Sequence, residues 1–223
     1  MALQELLDLL RESAPLMLRG AGYTLLLAVA AMLGGLVLGL PAALMRVSPW
    51  APVRWPAALY VSVFRGTPLL VQLFVVYYGL PSIGIEFTPL AAGVLTLSLN
   101  AGAYLSESLR GAINAVALGQ WRAAYSLGLG WGQTLGHVVL PQALRVAVPS
   151  MSNTLISLIK DTSLVSVITM TELMLVTKEL ISVTFRPLPL YAAAAIIYWI
   201  LSLFFENLQR RAERRFNRAH QQH

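Results

Sequence analysis

The chain has 223 residues, of which 57% are hydrophobic and only 12% charged, about half the charge of a typical soluble domain. Apolar stretches of about 20 residues recur along it, each enough to cross a bilayer core of about 30 Å as helix. Together these exclude a soluble cytosolic enzyme, a disordered chain and a nucleic-acid binder, and leave an integral membrane protein. The net charge of +6 does not point to nucleic acid, because five of the 16 basic residues (Arg210, Arg211, Arg214, Arg215 and Arg218) gather in a C-terminal tail. Such a tail reads as a cytoplasmic membrane anchor. The absence of cysteine rules out disulfides, thiolate metal sites and a cysteine nucleophile.

Residues 1–22 are not a secretory signal, since Glu5, Asp8 and Glu12 acidify the segment that should be basic. Leu3, Leu6, Leu7 and Leu10 instead predict a short amphipathic helix, lying on the membrane surface or packed against the protein. Five apolar segments follow: Tyr23 to Leu44, Ala57 to Leu80, Pro89 to Leu109, Leu144 to about Val176, and Pro189 to Phe205. They are continuously apolar, not alternating with period two, so an all-α membrane protein is expected and a closed barrel is not.

Basic residues set the orientation. One set of connections holds Arg46, Arg54, Arg110, Arg122, Arg145 and the five tail arginines; the other holds only Arg11, Arg19, Lys178 and Arg186. The positive-inside rule therefore puts the N-terminus outside, and both the 110–145 connection and the 206–223 tail in the cytoplasm. The 110–145 segment is rich in glycine, which predicts short helices with turns. It carries no nucleotide-binding motif, so something else must dock there. Five spans cannot make two equal inverted halves, and a pore would most naturally form between two copies.

Polar residues inside spans are candidates for function because the bilayer makes them costly. Asn100, Tyr104, Glu107 and Ser108 fall on one face of the third span. Asn100 and Glu107 stand about 10 Å apart along its axis. That stripe suits a pathway for an amino acid, with Glu107 accepting from an α-ammonium group, or else pairing with Arg110. Lys160 and Asp161 are neighbours and point about 100° apart, so one can line the pathway while the other meets another helix. Pairs of Asp161 with Arg65, or of Lys160 with Glu107, are the structural alternatives. Thr162 and Ser163 can bond back to carbonyls and bend the helix into a gate hinge. Arg65 precedes Gly66, Thr67 and Pro68, where a kink is expected. Arg65 itself most simply snorkels to the inner interface, with a carboxylate clamp as the alternative. His137, His220 and His223 are scattered and imply no metal site. Neither a nucleophile–base pair nor a phosphate-cradling glycine loop is present, which weighs against an intramembrane hydrolase.

The cytoplasmic connection carries a spaced motif. Ala123 and Ala124 are small enough for close contact, Gly128 can end a helix in a turn, and Pro141 can start the next one. With Val138 and Leu140, this run resembles the E-A-A-x3-G-x9-I-x-L-P coupling loop of ABC importer permeases. Val138 replaces the isoleucine, and Arg122 replaces the glutamate. Phe64 to Leu69, Ser98 to Tyr104, Glu107 with Arg110, and Lys160 to Leu164 narrow the resemblance to the polar amino-acid subfamily. Gly20 to Leu25, Ala43 to Arg46, Tyr77 to Pro81 and Ile156 to Leu158 are most similar to permeases of L-cystine importers. The resemblance implies a five-span type I importer permease in the bacterial inner membrane, non-catalytic and without its own cofactor. It would pair with a second permease copy, identical sooner than related, and with two cytoplasmic ATPase subunits that bind ATP and Mg. A periplasmic or lipid-anchored binding protein would deliver the substrate: cystine, or alternatively a basic or acidic amino acid. A reading from another class is an ion-coupled carrier or channel using Glu107 or Asp161.

Overall fold

The computed structural model describes residues 3–218, with side chains described for residues 4–211. The tail residues Arg214, Arg215 and Arg218 therefore carry no side-chain description, and His220 and His223 lie outside the described residues. The described chain is helical throughout its regular structure.

Helix α1 runs unbroken from Leu3 to Val47, so the expected division near residue 22 is absent. Within the leucine-rich start, Leu6 and Leu10 are half-buried and Leu7 is exposed, and close packing begins further along the helix. Met17 and Ala21 are buried, and Gly20 lies so close to Leu173 that a Cβ there would come within 2.9 Å of the Leu173 Cα. Three buried apolar clusters lie along α1. Met17 joins the first with Leu173 and Leu190. Leu27 and Ala31 join the second with Leu73, Leu97 and Ile159. Ala43 joins the third with Leu109, Ile113 and Val139.

The closest neighbour of α1 is α4 (Pro89–Ala115). Small residues make that approach possible: a Cβ on Gly39 would stand 2.7 Å from the Gly102 carbonyl oxygen. Between helices that lipid does not drive together, such backbone contact supplies the packing.

Helix α2 (Ala51–Gly66) meets the helical run Leu69–Ile83, which opens with α3 (Leu69–Phe74), at 106° across Thr67 and Pro68. The kink expected at Gly66-Thr67-Pro68 is thus a sharp corner. A π-turn, Val75–Gly79, follows α3 and precedes Leu80-Pro81. The same arrangement recurs in the 110–145 connection. There α5 (Leu118–Ser126) turns into α6 (Trp131–Thr134), a π-turn at Leu135–Val139 follows, and α7 (Leu140–Asp161) begins at Leu140-Pro141. Pro141 stands in the first turn of α7, as its sequence suggested, although no loop precedes it. It sits in a continuous helical run, and the wide turn before it moves away the carbonyls that its ring would strike.

The expected fourth span is broken as well. After Asp161 the chain tightens into a 3₁₀ helix, Thr162–Ile168, reverses at Thr169 (φ +59°), and resumes as α8 (Leu173–Thr184). Helix α9 (Pro187–Arg218) ends the described chain. Among the described residues α1 and α9 are long and apolar enough to cross a membrane, and α2 with the bent segment after it qualifies as a pair. Helices α4 and α7 carry the polar residues of the site, which lowers their hydropathy below that of a uniform span.

Candidate functional site

Pro68 determines the corner between α2 and α3. It has no N–H, so the carbonyl of Phe64, four residues earlier, loses its helical donor. Two side-chain amides replace that donor: Asn100 Nδ2 donates to it at 3.1 Å and Gln72 Nε2 at 2.9 Å. Gln72 also donates to the Thr67 carbonyl (3.1 Å) and hydroxyl (2.9 Å), and its Oε1 accepts from Asn100 Nδ2 at 3.0 Å. Asn100 thus holds the corner from α4. Buried backbone groups need such partners in a medium without water.

A cavity of about 550 Å³ opens beside that corner. Thr67 and Pro68 form one wall, Asn100, Tyr104 and Ser108 of α4 a second, and α7 a third. The α7 wall is Ser150, Asn153, Thr154, Ser157 and Asp161. The sequence reading named only Asp161 of these, although offsets of 0, 3, 4, 7 and 11 place all five on one helix face. That polar stripe was legible and was missed inside an otherwise apolar run. Ser108 and Ser150 share a hydrogen bond of 2.7 Å across the cavity. Asp161 has no hydrogen bond or ion pair among the described residues, whereas most polar groups around it are committed.

Lys160 turns away from this cavity, as the 100° offset requires. It lines an adjoining polar space with Glu206 and Arg210 of α9, which shares Asn153 and Ser157 with the cavity. Neither of the structural alternatives for Lys160 and Asp161, a pair with Glu107 or with Arg65, forms. Thr162 Oγ1 donates to the Ile159 carbonyl (2.8 Å) and Ser163 Oγ to that of Lys160 (2.7 Å), where α7 tightens into 3₁₀ geometry.

Glu107 does not line the cavity. It is held by three guanidinium groups: Arg46 from the end of α1, Arg65 from the end of α2, and Arg110 one turn on. Arg110 Nε donates to Oε1 at 3.1 Å, and Arg65 lies 3.3 Å from Oε2. Arg65 also sits over the Tyr104 ring, 5.4 Å from its centroid. The simple snorkelling position for Arg65 is therefore replaced by a carboxylate clamp that touches a cavity wall. A second acid, Glu172, went unnoticed in the sequence. It is fully buried, caps α8 by accepting from Leu175 N (2.8 Å), and also accepts from Tyr198 Oη (2.7 Å) and Thr24 Oγ1 (3.4 Å).

The 118–139 hairpin stands at the end of α1 and α4. Helix α5 ends in a Schellman turn: Gly128 N donates to the Tyr125 carbonyl (2.9 Å) and Leu129 N to that of Ala124 (3.2 Å), with Gly128 at φ +80°. Ala124 is buried, while Ala123, Arg122, Tyr125 and Leu127 are exposed. Trp121, Trp131, Leu135 and Val139 pack with Ala43, Leu109 and Ile113. The hairpin is thus fixed to α1 and to α4, of which α4 walls the cavity, and presents its outer face freely.

A helical bundle with a polar cavity and a fixed, outward-facing hairpin is the fold of an ABC importer permease. The chain belongs to the family described as "Binding-protein-dependent transport system inner membrane component", which matches residues 35–218. It is 44% identical to the "Probable amino-acid ABC transporter permease protein YckA" of Bacillus subtilis (strain 168), over 88% of each chain. It is 43% identical to the "L-cystine transport system permease protein TcyB" of the same strain, over 95% of this chain and 91% of that one. A solved structure described as "Crystal structure of an amino acid ABC transporter with histidines" superposes with a TM-score of 0.88 at 37% identity, over 92% of this chain and 96% of that one.

Proposed function

We propose that this chain is the translocation subunit of an ATP-driven importer for a polar amino acid, with cystine as the favoured substrate. The observation that carries this reading is Asp161, a carboxylate without a protein partner on the wall of a polar cavity. It would accept the substrate α-ammonium group. Hydroxyl and amide groups of Tyr104, Ser150, Asn153 and Ser157 would donate to the α-carboxylate. A volume of about 550 Å³ falls within the range of small-molecule sites. The lining offers no free cation, since Lys160 faces elsewhere and Arg65 is engaged by Glu107. This argues against an acidic side chain as cargo, and the likeness to TcyB favours cystine over a basic amino acid.

The gate would be the corner at Gly66, Thr67 and Pro68 together with the tightened segment at Thr162 and Ser163, with Arg65 closing over Tyr104. Two cytoplasmic ATPase subunits would bind ATP and Mg and grip the hairpin at Ala123, Ala124 and Gly128. Val138, Leu140 and Pro141 would carry the motion into α7. A second copy of this chain would complete the passage, with its N-terminus outside and C-terminus inside, and a binding protein would supply the substrate.

The test is Asp161→Asn in the complex reconstituted with its ATPase and binding protein in vesicles. Uptake of labelled cystine should fall by more than tenfold, while complex assembly and basal ATP hydrolysis persist. Undiminished uptake would remove Asp161 from the pathway. Uptake by the chain without its ATPase, driven by a proton gradient, would replace the importer reading with that of an ion-coupled carrier.

A further inference from the structure

Four arginines stand at the junction of α1, α2 and α4, three of them held by a single acid. Arg46, Arg65 and Arg110 share Glu107. Arg54, on the first turns of α2, donates only to backbone, from Nη1 to the carbonyls of Ser48 (3.2 Å) and Pro49 (3.1 Å). One carboxylate against four guanidinium groups leaves a large positive excess. A cavity of about 340 Å³ opens among them, lined by Arg46, Arg54, Arg110, Asn114 and Trp121 with the 47–49 turn. No carboxylate lines it.

Trp50 and Trp55 flank Arg54 in the sequence and are 71% and 69% exposed. Large indoles left in the open beside an arginine are the side chains that settle at the level of lipid headgroups. We infer that this cavity binds the phosphate headgroup of an anionic phospholipid. Arg54 offers Nε and Nη2, which donate to nothing among the described residues. Arg46 and Arg110 add the field of the cluster, and the two indoles seat the turn in the interface. Basic pockets between helices on the cytoplasmic side suit this chemistry. The inference rests on the membrane placement proposed above. Trp121 belongs to α5, so a lipid in this cavity would also brace the base of the hairpin.

The experiment compares the permease–ATPase complex carrying wild-type chain or Arg54→Gln. Both are reconstituted in nanodiscs of phosphatidylethanolamine with phosphatidylglycerol and then released for native mass spectrometry. Wild type should retain phosphatidylglycerol roughly fivefold more strongly than Arg54→Gln, the loss expected for one basic residue near an anionic surface. An Arg186→Gln control, at an exposed arginine outside both this cavity and the basic tail, should match wild type. Arg54 is exposed, and an unchanged thermal midpoint would show that the variant is folded. Equal retention by wild type and Arg54→Gln would overturn the inference. So would an Arg54→Gln complex that keeps its lipid but sheds its ATPase, which would assign the cluster to an acidic protein surface. Displacement of the lipid by millimolar inorganic phosphate would reassign the cavity to a soluble anion.

Discussion

The Asn100 amide donates at 3.1 Å to the Phe64 carbonyl, the group that Pro68 deprives of a helical partner. Gln72 donates to the same oxygen at 2.9 Å, so the corner has two supports from different elements. Asn100→Leu or Gln72→Leu alone should cost about 1–2 kcal/mol, because one donor remains. The double variant should cost more than the sum, since the half-buried carbonyl then loses both donors. Thermal unfolding of the purified complex for the four members of this cycle measures the difference.

Glu107→Gln should act on assembly and not on substrate choice. It leaves three guanidinium groups facing one another without their acid. Glu107 is 24% exposed, so the loss should be roughly 2–3 kcal/mol, below the 3–5 typical of a fully buried pair. The check is the yield and thermal midpoint of the complex. Adding Arg65→Gln should recover part of both. A selective loss of substrate-stimulated ATP hydrolysis with normal yield would contradict this placement.

Two glycines of α1 should respond in opposite directions. Gly39→Leu must force α1 away from the Gly102 backbone and should cost at least 1–3 kcal/mol. Gly22 has open space where a Cβ would go, so Gly22→Ala should be neutral or stabilising by up to about 1 kcal/mol. Unfolding midpoints in one detergent test both.

Gly128 has nothing within 4 Å of its would-be Cβ, and its φ is +80°. The cost of Gly128→Ala is therefore conformational, about 1–2 kcal/mol, and Gly128→Asn should cost less because asparagine tolerates that region. Gly128→Asp should abolish transport while leaving the chain in the membrane. The readouts are retention of the ATPase on purification and substrate-stimulated hydrolysis. Normal stimulation in Gly128→Asp would mean that the hairpin is not the docking element.

Much of this architecture was legible because single residues dictate it. Pro68 forces a corner, Gly128 a left-handed turn, and the spacing of Asn100, Tyr104 and Ser108 a shared face. The features that escaped depend on residues far apart in the chain. The leucines of the first turns gave no sign that the helix runs on without a break, nor that it packs from Met17 onward, with Gly20 against Leu173. Glu107 had an obvious neighbour in Arg110, but Arg46 and Arg65 reach it from other helices. Glu172 finds Thr24 and Tyr198 only through tertiary packing. The stripe from Ser150 to Asp161 is different: its period was in the sequence, obscured by the apolar residues between.

Helix α1 has 45 residues, a rod of about 67 Å at 1.5 Å per residue. A bilayer with its headgroups is about 40–45 Å thick, so unless steeply tilted the rod stands well clear of the lipid. Its acidic first turns, with Glu5, Asp8 and Glu12, suit that aqueous end. The other end carries Arg46 and the packing beneath the hairpin. The rod's close packing on α4 runs from Gly34 beside Ser98 to Gly39 beside Gly102, and a tilt of the rod would pivot on that contact. A tilt of about 5° would swing its ends by roughly 6 Å relative to each other over that length, linking events on one side of the membrane to the other without any helix changing shape.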